Sequence, residues 1–282
     1  MIGVVLAAVS SLFDEFFASV GKFENQQGRE SIYTMAVLSL LGQMLFFVGL
    51  VVIRHDAFYF SLASLPTFLP RLITANALEY ITLSAIVLAD RTTFSFVRIG
   101  TIPLLFGIDV VLGYSFSASQ LIGLGLIVVT LLLLFGGRIL TKRGLGYVFA
   151  STCLAAVEIS LYKYNITHFN SVAAEQLIVY GVVLLVFFIG ALRVARENPF
   201  RFLIKPLFFT QVVAQGTSGL LNSFAYVFAP ASIIVAATRS AAILWSMITG
   251  RVYFQETHIV KKVLAAICLI MGLFLLANIK SF

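Results

Sequence analysis

The chain has 282 residues, of which 60% are hydrophobic and only 11% charged, with a mean hydropathy of +1.03. Soluble domains carry about 25% charged residues, so this balance excludes an ordinary soluble domain and calls for a polytopic membrane protein. The net charge of +7 does not point to nucleic acid, because the cations sit in short loops between apolar runs, where topology and lipid headgroups account for them.

Ten apolar segments follow in chain order: Ile2–Gly21, Ile32–Ile53, Thr67–Leu88, Thr92–Gly113, Ala118–Gly136, Leu145–Tyr164, Val172–Ala195, Pro206–Phe228, Ser232–Val252 and Ile259–Asn278. Runs of about 18 or more apolar residues span a bilayer. Each is expected to be a helix, since hydrocarbon leaves no partner for an open backbone and the ten-residue alternation of a barrel is missing. The first run is expected to be retained rather than cleaved: it has no basic leader, contains Asp14 and Glu15, and precedes no small-residue cleavage pattern. Pro103 is expected to kink the fourth segment, whereas Pro230 merely opens the ninth, where a missing N–H costs nothing.

A break rich in Gly, Arg and Lys at Gly137–Gly144 divides the segments into five plus five, giving repeats at 1–140 and 141–282. With an odd number of spans per half, the halves enter the membrane in opposite senses. The expected architecture is therefore all-α, ten transmembrane helices arranged as a 5+5 inverted repeat, a plan shared by many secondary transporters. Loops after the odd-numbered segments hold thirteen cations, among them Lys22, Arg91, Arg143 and Arg251, against four on the other side, Arg54, Arg71, Lys163 and Lys280. By the positive-inside rule both termini face outward and the central loop faces the cytoplasm.

The C-terminal hairpin carries a pattern of small residues around a glutamate: Gly250, Glu256, Ala265 and Gly272. The first half has Ile108, Tyr114, Gly123 and Thr130 in the corresponding places, without the glutamate, and Gln255 immediately precedes Glu256 in the second. This pattern, with the length and the five-plus-five symmetry, resembles the ten-helix drug/metabolite transporter superfamily, EamA-like family. The resemblance implies a bundle around a central cavity that moves small metabolites by alternating access. It also implies cytoplasmic termini, opposite to the charge count. Glu256, at the membrane edge, reads as a cap on the following helix, and the small residues as close-packing positions.

Ionisable groups inside apolar helices cost several kcal/mol unless they face a partner or a wet cavity. Helix one carries Asp14 and Glu15, and Glu158 lies 143 residues beyond Glu15; Glu79 has its counterpart in Asn222, and Arg98 in Arg239 at an offset of 141. Read functionally, Arg98 and Arg239 bind an anionic group of a substrate, with Glu79, Asn222, Tyr80 and Tyr226 completing the substrate site, while Glu15 and Glu158 carry the coupling proton. Read structurally, Arg98 pairs with Glu79 or Glu15, and Arg239 with Glu158, as static locks. Lys163, Glu175 and His168 read as solvated loop neighbours, Asp109 as interfacial, and Cys153 and Cys268 as small core residues. There is no phosphate-binding glycine loop, no Gly-x-Ser-x-Gly and no metal-ligand spacing, so neither an enzyme nor a cofactor is expected. The expected function is a secondary-active transporter or facilitator of a small polar metabolite, an amino acid or related organic ion, in the cytoplasmic membrane. Export driven by protons or a solute gradient and a monomeric or homodimeric state complete the expectation. The alternative is a non-transporting membrane scaffold or lipid-interacting protein.

Overall fold

The computed structural model describes residues 2–54, 58–111, 117–136, 142–229, 231–255 and 259–277. Among them there is no strand. The helices are α1 (Ile2–Gln26), α2 (Ile32–Ile53), α3 (Leu65–Leu88), α4 (Arg91–Arg98), α5 (Thr101–Val111), α6 (Ala118–Gly136), α7 (Leu145–His168), α8 (Val172–Gly190), α9 (Pro206–Phe228), α10 (Ala231–Val252) and α11 (Ile259–Ala277). Among the described residues, six helical stretches are long and apolar enough to cross a membrane: Ile2–Gln26, Ile32–Ile53, Leu62–Leu88, Leu145–His168, Val172–Ala195 and Ile233–Val252. The protein is thus an all-helical, multi-pass membrane protein.

Local chemistry sets the helix ends. Ser31 and Ser171 cap α2 and α8, their hydroxyls accepting the amides of Thr34 and Ala174 at 3.2 Å each. The fourth predicted segment is interrupted rather than bent. Pro103 cannot donate to the Ile99 carbonyl, and the chain there makes a tighter Ile102-to-Ile99 bond at 2.9 Å, separating α4 from α5. A π-turn at Ala191–Ala195 ends the stretch that α8 begins. Glu256 and His258, with Tyr114 and Pro230, lie outside the described residues, and the Asp109 side chain is likewise not described.

The burial pattern is the inverse of a soluble protein's. Ile73, Leu133 and Leu185 are 71%, 68% and 60% exposed, while Arg71, Arg91 and Glu175 are at most 2% exposed. Only a hydrocarbon solvent makes that distribution favourable, because the apolar outer surface then costs nothing and charges are held inward. Helix α1 lies against α9 and α10, α3 against α7, α2 against both α8 and α9, and α6 against α11. The α2–α9 seam is the closest approach: a Cβ on Gly42 would strike the Val212 carbonyl, and one on Gly216 would come within 2.6 Å of the Gly42 carbonyl oxygen. Small residues let backbones touch where lipid provides no hydrophobic drive for helix association.

Candidate functional site

Between the helices lies a cavity of about 270 Å³ lined from α1, α2, α3, α4, α7, α8, α9 and α10. Its polar lining includes Asp14, Gln43, Arg71, Glu79, Arg98, Glu158, Gln176, Gln215, Asn222 and Arg239, with the rings of Tyr162, Tyr180 and Tyr226. Asp14 stands midway along α1 and is nonetheless exposed, because its carboxylate faces this opening.

Two arginines reach the cavity without an ion pair among the described residues. In the last turn of α4, Arg98 donates from Nη1 to the Thr82 hydroxyl at 3.3 Å and lies 5.3 Å from the Phe94 ring centroid. Its buried Nε has no hydrogen-bond partner. Arg239, on α10, makes no hydrogen bond or ion pair among the described residues, and its buried Nε is likewise unmatched. Asp14 and Glu79 also make neither kind of contact, though Asp14 is within electrostatic reach of Arg239. Unmatched buried polar atoms are uncommon in folded proteins and ask for a water, an ion or a ligand. Here two cations and two anions converge on one space, a set suited to a molecule that itself bears both charges.

A second arginine centre on the same cavity is fully occupied. Arg71 of α3 donates from Nε to Glu158 at 3.0 Å and from Nη2 to Gln176 at 2.9 Å, and pairs through Nη1 with Glu175 at 3.0 Å. Its guanidinium also sits 4.6 Å from the Tyr162 ring centroid. Asn165 donates to the same Glu175 oxygen, Oε1, at 2.6 Å, and Asn170 to Oε2 at 2.5 Å. Three helices, α3, α7 and α8, are thereby tied together. A third centre joins α1, α4 and α10: Arg91 forks onto Glu15 at 3.0 and 2.7 Å, and Thr249 and Ser19 add hydroxyl donors at 2.6 and 2.9 Å.

The cavity therefore brings together Arg98, Arg239, Glu79, Asn222, Tyr226 and Glu158 from the expected site. Two expected members stand elsewhere. Glu15 is held by Arg91 and does not line the cavity, so its neighbour Asp14 occupies the place expected of it. One residue along a helix turns a side chain by about 100°. Tyr80 is 40% exposed and meets the Tyr33 ring at 6.2 Å, outside the lining. Arg98 and Arg239 do not form the static pairs expected with Glu79, Glu15 or Glu158; Glu15 and Glu158 are held instead by Arg91 and Arg71. Glu175, expected to be solvated, is 0% exposed inside the Arg71 centre, and Lys163 donates to the Tyr226 carbonyl at 2.7 Å. His168 is exposed and stacks on Tyr164 at 4.4 Å. Residues the sequence reading left out of the site include Asp14, Arg71, Gln43, Gln176 and Gln215. Their signal was a polar side chain inside an apolar run, uncharged for the three glutamines and masked for Arg71 by its nearness to a segment end.

The sequence matches no protein-family model and no curated protein sequence.

Proposed function

We propose that the chain is a secondary-active transporter or facilitator of a small polar metabolite, an amino acid or related organic ion, working by alternating access in the cytoplasmic membrane. The observation that carries this reading is the set of four charged groups, Arg98, Arg239, Asp14 and Glu79, that face a cavity without ion-pair partners among the described residues. A scaffold gains nothing from leaving charges unmatched inside a bundle; a carrier needs them so, because its ligand supplies the missing half of each contact. In this reading Arg98 and Arg239 take the carboxylate, Asp14 and Glu79 the ammonium, and the amides of Gln43, Gln215 and Asn222 the remaining polar groups. A volume of about 270 Å³ sits at the small end of ligand pockets, in keeping with a metabolite rather than a drug-sized molecule.

The reading also includes ten spans as two inverted five-helix repeats, resembling the EamA-like transporters. Reciprocal packing supports it: α1 contacts α9 and α10, and their counterparts repeat this as α7 against α3, α4 and α5, while α2–α8 and α6–α11 pair each helix with its own counterpart. Export is the proposed direction, driven by protons or a solute gradient.

The test is flux of labelled amino acids and organic ions in everted membrane vesicles, with and without a proton gradient. Saturable accumulation whose half-saturating concentration rises in Arg239→Ala supports a carrier. Equal flux in vesicles with and without the chain, across the whole panel, overturns it in favour of a membrane scaffold.

A further inference from the structure

Away from the cavity, where the turn between α1 and α2 meets the start of α9, four buried polar atoms lack hydrogen-bond partners together: both carboxylate oxygens of Glu30 and both ends of the Gln211 side-chain amide. Glu30 is 2% exposed and Gln211 is fully buried. Gln211 is wedged against α1, since a Cβ on Gly21 would lie 3.1 Å from its Nε2. The groups facing Glu30 are anionic or neutral. Glu24 comes from α1 and is paired with exposed Arg29 at 3.3 Å. Glu197, from the connection before α9, accepts the Ser31 hydroxyl at 2.6 Å and its amide at 3.2 Å, and also the Thr34 hydroxyl, clasping the start of α2. Lys22 turns away to the Ala89 carbonyl.

We propose that Glu30 and Gln211 form a proton-binding site, in which the neutral carboxylic acid and the amide pair reciprocally and the proton's departure loosens the Glu197 clasp on α2. The atoms match only in that state. A carboxylic acid O–H donates to Gln211 Oε1 while Gln211 Nε2 donates to the other Glu30 oxygen, so all four atoms are satisfied. An ionised Glu30 offers no donor, leaves Oε1 of the amide unmatched, and places a third negative charge beside Glu24 and Glu197. Burial accordingly pushes the Glu30 carboxyl from its ordinary 4.5 up to about 8, a rise that Gln211 opposes and that Glu24 and Glu197 reinforce. The sign follows by linkage. The folded chain keeps a proton that the unfolded chain releases above 4.5, so this contribution to stability is whole at low pH, declines as pH rises, and is fully lost above about 8.

The test is infrared difference spectroscopy on the purified full chain, reading the carboxylic-acid carbonyl band as pH rises. A band that disappears with a midpoint near 8 and is missing from Glu30→Gln supports the site. A midpoint at the ordinary glutamate value of 4.5 overturns it. So does a band unchanged by Glu30→Gln. The isosteric glutamine mimics the protonated form, and its thermal stability is expected to lose the decline between 4.5 and 8. A second arm needs no variant: exchanging sodium for choline at constant pH leaves the wild-type melting temperature unmoved if the ligand is a proton, and a rise with sodium assigns the four atoms to a metal cation instead.

Discussion

Arg71 and Arg239 line one cavity with the same functional group, yet their surroundings are opposites. Around Arg71 every direction is filled: Glu158, Glu175, Gln176 and the Tyr162 ring close on it, and the helices α3, α7 and α8 meet there. Around Arg239 the cavity is open, no hydrogen-bond or ion-pair partner stands among the described residues, and the facing Asp14 is exposed to the same space. The first arrangement uses charge to fix three helices in register. The second leaves a charge without a contact among the described residues, which the proposed carrier function requires of a group that waits for its ligand.

Substitutions that break this contrast should separate stability from transport. The largest effect is expected from Arg71→Ala, which strands Glu158 and Glu175 without a countercharge and costs about 3–5 kcal/mol of stability, read as a lower melting temperature and a poor yield of folded protein. Glu15→Gln removes the charge from the Arg91 fork while keeping the side chain's shape. It should cost about 2–3 kcal/mol of stability and leave the response of flux to a proton gradient intact, since Glu15 does not face the cavity. Arg98→Ala and Arg239→Ala should melt like the wild type but raise the half-saturating substrate concentration about 10- to 100-fold, the size of one lost charge-assisted hydrogen bond. Normal transport by either variant would remove that arginine from the site. Smallest of all, Tyr80→Ala, exposed beside Tyr33, should change stability by at most about 0.5 kcal/mol and transport not at all.

Which parts of this were legible in the sequence follows from how strongly each is encoded. Helix placement was, because hydrophobic runs and proline positions are local: α2, α6 and α9 begin and end at the residues their apolar runs predict. The interruption near Pro103 was readable as a weak point but not as a complete separation of α4 from α5. Charge pairing was far less legible. Arg71 and Arg91 lie close to segment ends, so composition alone assigns them to loops, and only the approach of α7 and α8 to one and α1 to the other turns them inward. Choosing between Asp14 and Glu15 required the rotation of α1 about its axis, which two adjacent carboxylates with polar residues on several sides of the helix, Ser10, Ser11, Ser19 and Lys22 among them, do not declare. The depth of a charge can be counted along a chain, whereas its facing depends on neighbours not yet placed.

The seam at Gly42 and Gly216 bears on how the cavity can open. Where two backbones touch, there is no layer of side chains to shear, so α2 and α9 form a single stiff plank. Any rocking of the surrounding helices has to pivot on that plank rather than deform it, and a methyl group added at either glycine would act as a wedge in the hinge.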